Sequence, residues 1–337
     1  MEQFKSSMII LVIGLALGFY IGGIEALYIV ALLAILEISL SFDNAVVNVK
    51  VLEGMEEVWQ QRFITWGIPI AVFGMRFLLP MVMVAVASGL GVWETFEMAL
   101  HTPTHYQAVL HSVETLIFAF GGSFLLMVFL SFIFDEDRQT HWIKPIEQSR
   151  VLHKLGKLAN IQMTLATLVG TIITLLTQSY LIALSYFLGV LLYAVISSLD
   201  ELLSINGVRS GVMGFLYLEV LDASFSFDGV IGAFALSSNI FIIMLGLGIG
   251  AMFVRSLTLF MLQHQTLSAY RYLEHGAHYA ILALAIIMLI KIFMPISELV
   301  VGTVGIGFIV VATLHSIYLN RHAQKEAKEL LKSTSPQ

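Results

Sequence analysis

Apolar segments separated by short polar or glycine-containing stretches run through nearly the whole chain. A membrane-spanning helix needs about 20 predominantly apolar residues, and the longer segments approach or exceed that length. The first segment follows Lys5, as in a signal peptide, but no small-residue cleavage site follows Gly22 and Gly23, so we expect a retained helix. The pattern predicts ten spans, at residues 7–24, 25–52, 67–88, 112–134, 161–177, 180–204, 211–236, 240–262, 278–294 and 299–319.

The composition agrees with this pattern and excludes several classes of protein. Of the 337 residues, 58% are hydrophobic and 12% are charged, with a mean hydropathy of +0.90. Soluble domains contain about 25% charged residues, so we expect an all-α, polytopic transmembrane helical bundle rather than a soluble or disordered chain. The absence of cysteine excludes disulfides, thiolate metal sites and cysteine nucleophiles. A net charge of −6 gives no support for nucleic-acid binding.

Lysine and arginine are distributed unevenly among the polar segments. Residues 135–160 carry five of them and the 320–337 tail carries four, whereas residues 89–111 carry none. Because Lys and Arg concentrate in cytoplasmic loops, the first two segments are predicted to be cytoplasmic and the third external. Counting spans between these segments predicts both termini in the cytoplasm. The expected location of this integral membrane protein is the bacterial inner (plasma) membrane.

A seven-residue motif occurs twice. The segment E-I-S-L-S-F-D at Glu37–Asp43 matches D-A-S-F-S-F-D at Asp222–Asp228, and a basic residue follows in the next span of each half, Arg76 and Arg255. Chance similarity between apolar helices is the alternative, but it does not easily account for two acids and two serines at the same spacing. Five predicted spans in each half would invert the second copy, as in many secondary transporters. The predicted units are a first repeat at 1–177, containing the 135–160 loop, and a second at 178–319.

Five acidic residues lie well inside predicted spans, away from their ends, where one charge costs about 2.5–3.5 kcal/mol; they are Glu37, Asp43, Glu219, Asp222 and Asp228. They must therefore face a cation, protons or basic side chains. Carboxylate, amide and hydroxyl oxygens are hard ligands that suit Mg²⁺, Ca²⁺ and Mn²⁺. The predicted metal ligands are Asp43, Asp228, Glu37, Asp222, Asn44 and Glu219. The alternatives are a proton-only relay or buried ion pairs with three mid-span basic residues, Arg76, Arg255 and Lys291, which could also act as counter-charges in an empty site.

Asp43 and Asp228 occupy matching positions in the two motifs, so a pseudo-two-fold axis would bring them face to face. Two carboxylates at close range repel until a cation or a proton lies between them. Glu37 and Asp222 would complete the oxygen shell, whereas Glu219 has no counterpart in the first copy. On an unbroken helix the two acids of one motif point to different sides. Either they serve different neighbours, or the helices unwind near 42–44 and 227–229.

The two motifs resemble those of the TerC family of integral membrane proteins, within the LysE-like transporter group. The resemblance is carried by S-F-D-N-A-V-V at 41–47, L-D-A-S-F-S-F-D-G-V-I-G-A-F-A-L-S at 221–237, Arg255 and L-I-K-I-F at 289–293. It implies manganese efflux, with the family's intramembrane acids falling on Asp43 and Asp228 and their partners on Glu37 and Asp222. The longer 89–111 loop and the extra terminal spans depart from the family pattern and identify the chain as a divergent branch.

The predicted function is secondary export of a divalent cation, with Mn²⁺ as the first choice, in exchange for protons. The alternatives are a LysE-like exporter of small organic cations and a non-transporting membrane scaffold with ion-paired acids. No Walker motif, nucleophile elbow or H-E-x-x-H occurs, so we do not expect an enzyme and expect no cofactor besides the transported ion. The expected partners are the divalent ion, protons and the lipid bilayer, with self-association into a homo-oligomer left open.

Two further patterns have a simple and a functional interpretation. His101, His105 and His111 in the 89–111 segment are interpreted as solvated side chains, with an external metal-release or pH-sensing patch as the alternative. The G-x-G-x-G run at 246–250 lies within a span with no strand before it. It therefore predicts close helix packing through small residues rather than a nucleotide-binding loop.

Overall fold

The computed structural model describes residues 4–135, 138–203, 211–237 and 239–334, and every regular element in these ranges is a helix. Six of the described helices are long and apolar enough to cross a membrane. The prediction of a helical membrane protein is thereby confirmed. The number is smaller than ten because the first two predicted spans share one helix, the 67–88 span is broken into shorter pieces, the 161–177 helix has only 17 residues, and the 211–236 helix carries three acids.

The first predicted span and most of the second lie in helix α1 (Lys5–Leu40), which turns sharply at Gly22 and Gly23. Gly23 has φ +68° and ψ −152°, a conformation that favours glycine. A Cβ added at Gly18 would lie 3.0 Å from Val30 Cγ2, although these residues are twelve apart in the chain. The two arms of α1 are therefore antiparallel, which agrees with the predicted boundary between residues 24 and 25.

The second arm of α1 packs closely against helix α12 (Ile240–Gln263). A Cβ at Gly246 would overlap Leu33, and a Cβ at Gly250 would overlap Cβ of Glu37. Small residues at these two positions let the helix backbones approach, so the close packing predicted for the G-x-G-x-G run is confirmed. This approach brings Glu37 into the interior of the protein.

Two predicted spans are broken where they carry charged residues. The second ends its first part at Leu40, and a new helix, α2 (Phe42–Glu53), begins after Ser41. The third is divided into α3 (Glu57–Pro69), a π-helix (Ile70–Leu78) and α4 (Leu79–Ser88). Pro69 and Pro80 lie at the ends of the π-helix, where their missing N–H groups interrupt the α-helical hydrogen bonds.

The rest of the bundle surrounds a central, mostly buried helix, α6. Helix α11 is continuous, so the unwinding considered near 227–229 does not occur in its backbone. The remaining described helices are α5 (Val92–His101), α6 (Pro103–Ile133), α7 (Lys144–Glu147), α8 (Arg150–Gly156), α9 (Ile161–Thr177), α10 (Tyr180–Leu203), α11 (Gly211–Leu236), α13 (Thr266–Ala269), α14 (Leu273–Lys291) and α15 (Glu298–Thr334).

The polar segments contain more regular structure than a loop assignment implies. Residues 89–111 were expected to form a loop, yet they hold α5 and the first turns of α6. Pro103 stands at the first position of α6, where proline's missing N–H costs nothing, so it starts a helix and does not prevent one. Residues 320–334 of the tail continue α15.

Candidate cation site

An arginine bridge joins the two motif helices in the interior of the bundle. Arg76, on the π-helix, donates from Nη2 to Glu37 Oε1 at 2.5 Å and from Nη1 to Asp222 Oδ2 at 3.5 Å. The side chains of Arg76 and Glu37 are each 2% exposed, and that of Asp222 is 13% exposed. The π-helix positions Arg76 to reach both motif acids, so the first acid of each copy shares one cation.

Two neutral side chains complete this bridge. Ser41, in the break between α1 and α2, donates to Glu37 Oε1 at 2.8 Å. Asn44 Nδ2 donates to Asp222 Oδ1 at 2.6 Å, so the first motif reaches directly into the second. The matching residue of the second copy is Gly229, and a Cβ there would lie 3.0 Å from Glu37 Oε2. The contacts between the two motifs are thus reciprocal.

A small cavity of about 20 Å³ lies beside the bridge, lined by Asn48, Glu219, Asp222, Arg76 and Arg255 among others. This volume accommodates one water-sized particle or one ion. Both carboxylate oxygens of Glu219 are buried without a hydrogen-bond partner among the described residues, and so are Oδ1 of Asn44 and Oδ1 of Asn48. Buried acceptors without donors are costly, and a cation in the cavity would supply what they lack.

Arg255 forms the opposite edge of the cavity. Its Nη2 donates to the Phe63 backbone carbonyl, and its guanidinium lies 3.9 Å from the centre of the Phe63 ring. A side chain at Gly67 would overlap this guanidinium, so glycine there gives Arg255 its place. The site as a whole contains three carboxylates and two guanidinium groups, Glu37, Glu219, Asp222, Arg76 and Arg255.

Asp43 is buried apart from the bridge. Its Oδ1 accepts from the Asn44 backbone N–H at 3.0 Å, and its Oδ2 lies close to Gly305 of α15. The Asp228 side chain lies outside the part of the chain that the structure describes, so the predicted meeting of Asp43 and Asp228 remains a prediction. Among the described residues, no group of three His, Asp or Glu side chains is arranged to hold a metal ion.

Other predicted residues lie away from the cavity. Lys291 is buried on α14, with Nζ 5.2 Å from the centre of the Phe118 ring. His101 and His105 are exposed on two different helices, and His111 is exposed and pairs with Glu114 at 2.8 Å. The interpretation of these histidines as surface side chains therefore fits their positions.

A larger cavity of about 480 Å³ opens on the side of the protein that carries the 135–160 segment. Its walls include Ser131, Gln162, Tyr217 and Val47. Lys50 and Glu274 also line it and form a salt bridge, with Lys50 Nζ 3.1 Å from Glu274 Oε2. Val47 lies one helical turn beyond Asp43 on the same face of α2. The cavity therefore extends to within about one helical turn of a buried carboxylate.

The comparison with known families identifies the chain's relatives. A family model described as "Protein of unknown function (DUF475)" matches residues 42–323, which is most of the chain. The protein belongs to the DUF475 family. No curated protein and no solved structure matches the chain. Residues 42–323 include Arg76, Asp222, Glu219 and Arg255, so the DUF475 match covers all of the charged site except Glu37.

The resemblance to the TerC family is wrong as an identification. DUF475 is a distinct family, and no TerC match accompanies it. The resemblance depended on two short motifs, and an acid–serine motif within an apolar helix can suit a buried polar site in more than one family. Manganese efflux, which came from that resemblance, therefore does not transfer to this DUF475 protein with the motifs.

Proposed function

We propose that the protein is a secondary transporter that exports a hard divalent cation, bound in the small cavity between Glu219, Asp222 and Asn48. The observation that carries this proposal is the ion-sized cavity beside buried oxygens that lack donors. Carboxylate and amide oxygens favour Mg²⁺, Ca²⁺ and Mn²⁺, and Mn²⁺ is one of these three rather than the first choice. The ion would cross without chemical conversion, so we propose no enzymatic activity.

In this proposal, the Arg76 bridge holds the acidic side chains of the site when no cation is bound. When the cavity is empty, the guanidinium of Arg76 pairs with both Glu37 and Asp222 and balances one of their two charges. An entering cation would compete with Arg76 for Asp222, and protons would compete with the cation for the same carboxylates. Exchange of a cation for protons follows, because the buried acids require some positive partner at every stage. The larger cavity supplies the access route from the 135–160 side.

We also propose the inverted 5+5 arrangement of ten spans. Its support is the pair of reciprocal contacts, Asn44 with Asp222 and Gly229 with Glu37. As the first motif runs from 37 to 44, its contacts on the second run from 229 to 222, so the two motifs cross in opposite directions. A two-fold relation between equivalent segments produces this kind of reciprocity.

Single-cysteine labelling tests the inversion, and the chain has no native cysteine to remove. Glu56→Cys follows the first motif helix, and Leu236→Cys ends the second; both positions are exposed. With inverted copies, an impermeant maleimide should label Glu56→Cys from one membrane face and Leu236→Cys from the other. Labelling of both from the same face would contradict the inverted arrangement.

A non-transporting scaffold is the competing function, and the Arg76 bridge is the observation that favours it. Ion-paired acids need no transported partner. An organic-cation exporter receives less support, because a cavity of about 20 Å³ has no room for an amine with a carbon skeleton.

Reconstitution into proteoliposomes separates these functions. We expect Mn²⁺, Mg²⁺ or Ca²⁺ to move faster than in empty liposomes, and an opposing proton gradient to accelerate the movement further. Ion content measured by mass spectrometry, with Fe²⁺, Zn²⁺ and a labelled diamine in the same panel, gives the readout. Movement of the diamine alone would favour the organic-cation exporter, and movement of nothing would favour the scaffold.

A further inference from the structure

A third cavity, of about 540 Å³, lies outside the proposed cation site, beside the polar segment that follows α6. Five side chains that can donate from nitrogen line it, Arg138, His141, Gln148, His153 and Lys157. We refer to it as the Arg138 pocket. Two carboxylates, Asp135 and Glu147, line the same cavity, so its acidic and basic side chains are mixed.

Arg138 is the unusual member of this pocket. Its side chain is only 9% exposed, its Nη2 lies 3.4 Å from Glu147 Oε2, and its guanidinium carbon lies 4.6 Å from the centre of the Phe132 ring. Nε and Nη1 are buried and have no hydrogen-bond partner among the residues that the structure describes. A buried guanidinium with free N–H groups beside a cavity requires acceptor oxygens, and an anion supplies both the acceptors and the opposite charge.

The carboxylates of the pocket do not meet this requirement. Glu147 already accepts from the backbone N–H groups of Trp142 and Ile143 and from Tyr279 OH at 3.1 Å. Asp135 also lines the cavity, but in the part of the chain that the structure describes no hydrogen bond or ion pair joins it to Arg138. The Glu147 carboxylate therefore already accepts from several donors, while Nε and Nη1 of Arg138 have no acceptor among the described residues.

The position of helix α8 indicates where the ligand comes from. The axis of α8 is bent by 102° from that of α9, so α8 lies along the membrane surface if α9 crosses the membrane. Val151 and Leu158, on and just after α8, are 67% and 55% exposed, next to basic Arg150 and Lys154. Apolar and basic side chains together are typical of a segment at the level of lipid phosphates.

We propose that the Arg138 pocket binds the phosphate group of an anionic ligand, with Arg138 and Lys157 as its principal donors. An anionic lipid headgroup and a soluble phosphate ester share this chemistry. This site is independent of the proposed cation transport, since none of its residues lines the cation cavity.

Binding to the purified full-length protein tests the proposal. Native mass spectrometry would measure retention of phosphatidylglycerol against phosphatidylcholine, and calorimetry would measure binding of inorganic phosphate and glycerol phosphate. We expect Arg138→Gln and Lys157→Gln each to weaken anion binding about tenfold, the effect of losing one charged hydrogen bond. Lys144→Gln is the matched control, because Lys144 is exposed in the same segment and does not line the pocket.

The binding measurements distinguish a lipid ligand from a soluble phosphate ester. Selective loss of phosphatidylglycerol in both pocket variants assigns the site to lipid, and loss of glycerol phosphate binding without lipid selectivity assigns it to a soluble ester. Equal anion binding by wild type, Lys157→Gln and Lys144→Gln would overturn the proposal. Lys157 is exposed and Glu147 pairs with Arg138 instead, so the Lys157→Gln comparison holds even if Arg138→Gln disturbs the fold.

Discussion

Glu219→Gln is expected to abolish cation transport. Both Glu219 oxygens are buried beside the small cavity without a hydrogen-bond donor among the described residues, so the carboxylate can serve as a ligand for a cation there. At an effective dielectric constant of about 20, unit charges about 4 Å apart interact by about 4 kcal/mol, and a divalent ion doubles that energy. Glutamine keeps the shape and one oxygen but removes the charge. We therefore expect transport rates to fall by about 100-fold or more in proteoliposomes.

Folding of this variant should be unaffected or improved, since a buried charge is removed. Detergent-purified yield and the thermal unfolding temperature check this point. Glu25→Gln is the matched control, because Glu25 is exposed near the α1 turn, far along the chain from the cavity residues. Transport by Glu219→Gln at the wild-type rate would show that the cavity is not the cation site.

Arg76→Gln is expected to destabilise the folded protein strongly. Arg76 is the cation shared by Glu37 and Asp222, and its removal leaves two buried carboxylates without it. Removing one partner of a buried ion pair costs about 3–5 kcal/mol. The unfolding temperature in detergent should fall well below that of wild type, with a lower yield of monodisperse protein. Arg62→Gln, at an exposed arginine, is the control.

A compensating variant separates the charge of the bridge from its packing. In Arg76→Gln combined with Glu37→Gln, one carboxylate charge is removed together with the guanidinium, so we expect much of the lost stability to return. A transporter should still lose activity in this variant, because Asp222 then lacks the counter-charge that regulates its occupancy. Unchanged stability of Arg76→Gln alone would contradict the bridge.

The hydrophobic pattern was sufficient for much of the secondary structure. Helix α9 has the predicted bounds 161–177 and α11 the predicted bounds 211–236, while α12 ends one residue beyond its prediction. These helices are long uninterrupted apolar runs, for which length and hydropathy are local properties. The 67–88 span was less predictable, because a π-helix between two prolines has the same composition as a regular span.

The residues of the site were predicted better than their arrangement. Glu37, Asp222 and Arg76 were singled out because a charge within an apolar span is visible in the sequence. Glu219 had no counterpart in the other motif, yet it lies at the cavity, and Asn48 was not among the predicted ligands. An asparagine within a span could have signalled a buried polar role for Asn48, because its amide needs partners in the membrane interior.

The sequence by itself determined that this is a helical membrane protein with acids buried in its spans, since hydropathy and charge act residue by residue along the chain. Only the tertiary structure decided which groups face one another. Arg76 bridges acids that are 146 and 39 positions away, and Glu219 meets Asn48 across a cavity between different helices. Those contacts depend on how closely helix backbones pack, through residues such as Gly250, and on the rotation of each helix about its axis. Neither quantity is encoded in the pattern of a single segment.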